Sequence, residues 1–134
     1  MNGQARPRIL LVEDDYFLAQ ELARDLTSAG AEIVGFAPTL ERATAIADGD
    51  AEIDGAVLDI NLRDRTVFPA IEGLRLRGVP VVFVTGYDDA IVPERYRDIP
   101  RLTKPADPAC IMVALNEQRS RTPVRTQMRK VEDR

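Results

Sequence analysis

The sequence predicts a doubly wound α/β domain of five parallel strands with helices on both faces, in the order 2-1-3-4-5 when right-handed crossovers set the first strand between the second and the third. Three observations lead there. Short apolar runs recur along the chain, at Ile9–Val12, Ile33–Ala37, Gly55–Leu58 and Val81–Thr85. Through most of the chain, helix-compatible stretches of more than ten residues separate them, which is the connection a parallel sheet requires and a hairpin does not. Acidic residues stand at the carboxyl ends of two runs, Glu13, Asp14 and Asp15 after the first and Asp59 after the third, where open α/β sheets bind their ligands.

The first strand, Arg8 to Val12, is continuously apolar after its first residue, as expected when both faces of a strand are covered. Asp15 is placed to cap a helix whose apolar positions Phe17, Leu18, Leu22, Leu26 and Ala29 lead to Gly30, a helix stop. The second strand spans Glu32 to Ala37. Pro38 or Thr39 opens a helix through Leu40, Ala43, Ala45, Ile46 and Ala47 that ends near Gly49. The third strand is Gly55 to Asp59, followed by a polar loop from Asn61 to Thr66. Pro69 suits a first helical turn, and Ile71, Leu74 and Leu76 carry that helix toward Gly78. Val81 to Thr85 is β-branched and aromatic, a fourth strand. Gly86, Pro93 and Pro100 then leave room for only a short or irregular fourth helix between Tyr87 and Arg101. A short fifth strand, Arg101 to Thr103, leads to Lys104-Pro105. The last helix runs from about Asp107 to Gln118, with Ile111, Met112 and Leu115 on one face and Cys110 expected as a small buried residue.

At 134 residues the chain can bury about two thirds of the surface its unfolded form exposes. The reading divides it into an N-terminal extension (1–7), one folded domain (8–118) and a basic tail (119–134). The tail holds six basic and two acidic residues with almost no apolar periodicity, so it reads as mobile or partly helical. One cysteine excludes an internal disulfide and a cysteine-rich zinc site, and the absence of histidine removes histidine-based catalysis. A net charge of −4 gives no reason to expect a nucleic-acid surface. No signal peptide or membrane-length apolar run is present, which makes a cytoplasmic location the default.

With strands one and three adjacent, Glu13, Asp14 and Asp59 share one crevice, joined by the Thr85 hydroxyl and the Lys104 ammonium. Such carboxylates repel one another, so a bound divalent cation, a shared proton, or both would hold them together. Mg²⁺ accepts hard oxygen ligands, and Asp14, Asp59 and the backbone carbonyl of Asn61 can supply them. A carboxylate beside such a cation can attack phosphorus to form an aspartyl phosphate, with Asp59 as nucleophile. Lys104 would meet one phosphoryl oxygen as a point charge and Thr85 another as a hydrogen-bond donor, while Gly86 leaves space for the group. Each feature also has a plainer reading. The acids after the first strand suit a helix N-terminus, Lys104 can be their ion-pair partner, and Thr85 can be a strand residue only.

Taken together, Val12-Glu13-Asp14-Asp15, Leu58-Asp59-Ile60-Asn61-Leu62, Val84-Thr85-Gly86 and Lys104-Pro105 resemble the signature positions of two-component response-regulator receiver domains, over about Arg8 to Gln118. Phe83-Val84-Thr85-Gly86-Tyr87 is also similar to a branch of mostly stand-alone receivers with a Phe-x-Thr-Gly-Tyr motif. The resemblance implies the flavodoxin-like receiver fold and phosphorylation of Asp59 by a histidine kinase or phosphotransfer protein. It also implies Mg²⁺ at Glu13, Asp14 and Asp59, with Thr85 and Lys104 sensing the phosphoryl group. Two positions depart from the pattern. Arg101 stands three residues before Lys104, where receivers commonly carry a Tyr or Phe whose rotation reports the state of the Thr. Ala106 follows Lys104-Pro105 where Phe is frequent. Tyr87 is a candidate to replace the switch or to set the lifetime of the acyl phosphate.

The expected function is a single-domain phospho-accepting switch rather than an enzyme, a monomer or weak homodimer. Its output would run through an unidentified protein target or through draining phosphate from a shared kinase, without nucleic acid or membrane. A phosphatase of the haloacid-dehalogenase type is the enzymatic alternative; it needs an acid two residues after the nucleophile, where Asn61 stands and cannot relay a proton. A constitutive binding module with an unused pocket is the other alternative.

Overall fold

Strand β1 (Arg8–Val12) is buried on both faces because its neighbours on either side are parallel strands and both faces carry helices. The structure, a computed structural model, describes residues 6–63, 65–86 and 92–118. Around β1 the sheet adds β2 (Glu32–Ala37), β3 (Gly55–Leu58), β4 (Val81–Thr85) and β5 (Arg101–Thr103), all parallel, in the spatial order 2-1-3-4-5. This is the doubly wound class and order expected from the sequence. The strand period of two divides the core. Ile9 and Leu11 face Ala19, Leu26, Ile111 and Leu115, whereas Leu10 and Val12 face Ala43, Ala47, Ile71 and Leu74.

Helix α1 (Tyr16–Ser28) is started by Asp15, whose carboxylate accepts from the N–H groups of Phe17 and Leu18 at 3.0 and 3.1 Å. It stops at Gly30, which has φ +105°; Gly30 N–H reaches the Thr27 carbonyl and Ala31 N–H the Leu26 carbonyl, a Schellman closure that needs a residue without Cβ strain. Its inner stripe differs from the expected one. Ala19 and Leu26 are buried with Leu22 and Ala23 packed beside them, while Phe17 is 68% exposed. Ala19, Leu22, Ala23 and Leu26 repeat at helical spacing, and Phe17, two residues before Ala19, falls on the opposite side of the helix.

Helix α2 (Leu40–Ala47) is capped by Thr39. Its last carbonyls are held by Arg77, whose guanidinium donates to Ile46 and Ala47 at 3.0 Å each and also to Ala51. Helix α3 (Ile71–Leu76) follows a 3₁₀ turn, Phe68–Ala70, that contains Pro69. Leu76, expected to carry the helix toward Gly78, is its last residue and is exposed. Helix α4 covers 108–118, with Asp107 accepting from Ala109 N–H at 2.9 Å. Cys110 is exposed, not buried: the inner face of α4 belongs to Ile111 and Leu115, and Cys110 precedes it by one residue.

The expected polar loop after Asp59 is instead a two-stranded ribbon, Asn61–Leu62 against Arg65–Thr66, anchored by buried Leu62 and Val67. Between β4 and β5 the described part, 92–100, contains only a 3₁₀ turn, Glu94–Tyr96, in keeping with a short or irregular fourth helix. Residues 1–5 of the extension, and the tail 119–134, lie outside the described residues. Among the described residues no helix is long and apolar enough to cross a membrane.

Candidate functional site

The ladder hydrogen bonds of the sheet carry the site residues to its carboxyl edge. Glu13 N–H donates to the Ala37 carbonyl at 3.1 Å, so the β1–β2 pairing extends one residue into the acidic cluster. Asp59 N–H donates to the Val12 carbonyl at 2.9 Å, which fixes the end of β3 beside that of β1. Lys104 N–H donates to the Thr85 carbonyl at 2.7 Å and does the same for β5 and β4. Backbone pairing therefore brings Glu13, Asp14, Asp59, Thr85 and Lys104 to one edge although up to 91 positions separate them (13 to 104).

Each of Glu13, Asp14 and Asp59 offers a carboxylate oxygen within 4.8 Å of the others. Lys104 Nζ stands between two of them, 2.7 Å from Glu13 Oε1 and 3.0 Å from Asp59 Oδ2. Asp59 Oδ1 accepts from Asn61 N–H at 3.3 Å, and Glu13 Oε2 from Asp15 N–H at 3.1 Å. Glu13, Asp59 and Thr85 are buried. Burial pushes the Glu13 carboxyl up to about 7, against the opposing hydrogen bonds from Lys104 and Asp15 and with added repulsion from Asp59. Burial alone would lower the Lys104 pKa, but its hydrogen bonds to Glu13 and Asp59 outweigh this and raise it. The plainer reading of Lys104 as an ion-pair partner thus describes this state of the pocket.

Thr85 Oγ1 is buried and has no hydrogen-bond partner. An unpaired buried hydroxyl is costly, so Thr85 Oγ1 is ready to donate to an acceptor that enters the pocket. Beside it, a Cβ added at Gly86 would meet nothing within 4 Å, so the space expected there is open.

No protein-family model matches the chain, and neither does any curated protein. Among solved structures it is similar to the solution structure of SdrG from Sphingomonas melonis Fr1, at 37% identity and TM-score 0.73, over 86% of this chain and 98% of that one. The BeF3-activated conformation of SdrG from Pseudomonas melonis Fr1 matches at 38% identity and TM-score 0.68, over 84% and 98%. A response regulator receiver protein from Sinorhizobium medicae WSM419 shares the fold at 22% identity and TM-score 0.71, over 87% and 97%. The chain belongs to the response-regulator receiver family.

In this receiver the switch candidates are distributed unevenly. Arg101 is exposed on β5, with its Cα paired to that of Phe83. Tyr87 lies outside the described residues. Ala106 is half-buried against the core cluster on the α1 side of the sheet, so the position after Lys104-Pro105 keeps an apolar contact with a smaller side chain. The receiver's donor set is all hard oxygen, clustered and electrostatically frustrated, which fits a small divalent cation such as Mg²⁺. The sequence reading missed the aromatic group beside β4. Phe68 stacks on buried Tyr96 at 5.8 Å and meets Phe83 edge-on at 6.0 Å, and Tyr96 donates its hydroxyl hydrogen bond to Glu72. A lone tyrosine between Pro93 and Pro100 carries no periodic signal, so only the folded arrangement reveals it.

Proposed function

We propose that the chain is a single-domain response regulator whose Asp59 accepts a phosphoryl group from a histidine kinase or a phosphotransfer protein, in a Mg²⁺-dependent reaction. The observation that carries this reading is the pairing of Asp59 with Lys104 beside a buried, unpartnered Thr85 hydroxyl. An Asp59 oxygen attacks the donor phosphorus; the bond between phosphorus and the donor atom breaks as the bond to Asp59 forms, and the donor leaves with that electron pair. Lys104 then exchanges its contact with the Asp59 carboxylate for a phosphoryl oxygen, and Thr85 Oγ1 gains the acceptor it lacks. Glu13, Asp14 and Asp59, with the backbone carbonyl of Asn61, would hold the Mg²⁺, which supplies charge neutralisation to the transferred group when bound. A structural relative has a BeF3-activated conformation, which supports a pocket able to accept a tetrahedral anion.

The chain acts as a switch and not as a turnover enzyme, because Asn61 cannot relay a proton to speed hydrolysis of the acyl phosphate. Output runs through protein contacts or through draining phosphate from a shared kinase. Rearrangement of Thr85 and Lys104 shifts the equilibrium of the surrounding loops.

Intact mass after incubation with acetyl phosphate and Mg²⁺ tests the reading. A phosphoryl adduct is expected on the wild type and not on Asp59→Asn, which keeps volume and fold while removing the nucleophile. Equal labelling of both proteins would refute the assignment of Asp59; no adduct on either would favour a constitutive binding module.

A further inference from the structure

The ribbon after β3 places an arginine where backbone chemistry gives no reason for one. Its register, Asn61 opposite Thr66 and Leu62 opposite Arg65, leaves Arg63 in the connecting turn. Arg63 has φ +60°, the only positive φ outside glycine among the described residues. Tight hairpin turns favour Asn, Asp or Gly in that conformation, and a side chain with an ordinary Cβ is strained there.

The surroundings of the side chain supply a reason. Arg63 Nε lies 3.9 Å from Asp14 Oδ2, with side-chain exposures of 80% and 19%. That distance is beyond hydrogen-bond range and the pair is open to water, so it adds little to stability and is easily released. The ribbon itself is held: Leu62 and Val67 are buried, and Arg65 pairs with Glu41 of α2 at 2.9 Å. The ribbon therefore presents one long, exposed cationic side chain that is held only loosely by Asp14.

Charge gives that side chain a role. Lys104 is engaged by Glu13 and Asp59, and among the described residues Arg63 is the only cation within 4.0 Å of Asp14. Asp14 and Lys104 are the more exposed side chains of the pocket and Glu13 and Asp59 the more buried. The pocket thus opens between Asp14 and Lys104, with Arg63 at its mouth.

We propose that Arg63 is a mouth residue that competes with the divalent cation for Asp14 and, once released, attracts the anionic phosphoryl group of the donor. This rests on the reading of Asp59 and Mg²⁺ given above. Arg63 would lower Mg²⁺ affinity in the resting protein, and metal binding would set its guanidinium free toward the donor.

The experiment compares wild type with Arg63→Lys, Arg63→Ala and Arg63→Glu. Mg²⁺ affinity is read from amide chemical shifts without donor, and the rate of acetyl phosphate labelling is read at saturating Mg²⁺. Because the side chain is exposed, the amide spectra also verify the fold. Arg63→Ala is expected to bind Mg²⁺ about fivefold more tightly at low salt and to be labelled about threefold more slowly, the size of one partly screened charge. Arg63→Glu should extend both trends and Arg63→Lys should match wild type. At about 1 M salt the differences should vanish, because the screening length falls to about 3 Å. Equal Mg²⁺ affinity in all four proteins would overturn the role of Arg63 while leaving the site intact. Equal labelling rates at saturating Mg²⁺ would overturn its attraction of the donor. No Mg²⁺ binding in the wild type would overturn the parent reading itself.

Discussion

Replacing Glu13 by Gln should change the pH dependence of stability in a direction opposite to most carboxylates. The Glu13 carboxyl is buried and raised from an ordinary 4.5 to about 7, chiefly by desolvation. The folded state therefore holds this proton more tightly than the unfolded chain does. Its contribution is fully present below about pH 4.5 and is lost as pH rises through about 7. At about 1.4 kcal/mol per pH unit, the loss is on the order of 3 kcal/mol at most. Gln mimics the protonated form at every pH and retains an oxygen for Lys104 or for Asp15 N–H. Urea denaturation of both proteins in a chelating buffer, from about pH 4.5 to about pH 8.5, reads the difference directly. The two should be nearly equal at the acid end, and the wild type should fall progressively behind above it. Because metal coordination needs the ionised carboxylate, Mg²⁺ should narrow the gap at the alkaline end. A gap that stays constant across the window, or that closes as pH rises without metal, would refute the account of Glu13 as a carboxylate held against its desolvation cost.

Two further outcomes follow from single contacts. Thr85→Val removes the unpartnered hydroxyl at nearly constant volume, so the unphosphorylated protein should gain about 1 kcal/mol in urea denaturation. The same variant should hold an Asp59 phosphoryl group for a shorter time in intact-mass time courses, because one donor to it is gone. Arg77→Ala removes the guanidinium from the Ile46 and Ala47 carbonyls at the end of α2, leaving Ile46 its bond from Gly49 N–H, and should cost about 1 kcal/mol by the same denaturation assay, with acetyl phosphate labelling unchanged.

Much of the framework could be read from residue patterns because the responsible forces are local. Val12 and Thr85 end their runs at the strand ends the structure has, and the third strand stops at Leu58, one residue short of the expected Asp59, since an apolar run followed by an acid or a glycine pairs in a buried sheet only up to that point. Asp15, Thr39 and Gly30 act on the N–H and carbonyl groups of their own helix ends, so their positions sufficed to place the starts of α1 and α2 and the end of α1. The inner faces did not follow from period alone. On α1 two of the residues that face the sheet are the small Ala19 and Ala23, whereas the larger Phe17, two residues before Ala19, lies on the opposite side of the helix and is exposed.

By itself the sequence determined the doubly wound class and the edge of the sheet at which Asp59, Asp14, Glu13, Thr85 and Lys104 meet, which need only chain connectivity and hydrophobic period; the order 2-1-3-4-5 and the roles of these residues came with the resemblance of their motifs to receivers. Only the tertiary structure decided which carboxylates share Lys104, that Thr85 Oγ1 lacks a partner, that Cys110 faces solvent, and that Arg63 is carried by a left-handed turn to the rim beside Asp14. These depend on distances of a few ångströms between segments far apart in the chain, and Coulomb and hydrogen-bond energies vary steeply over that range.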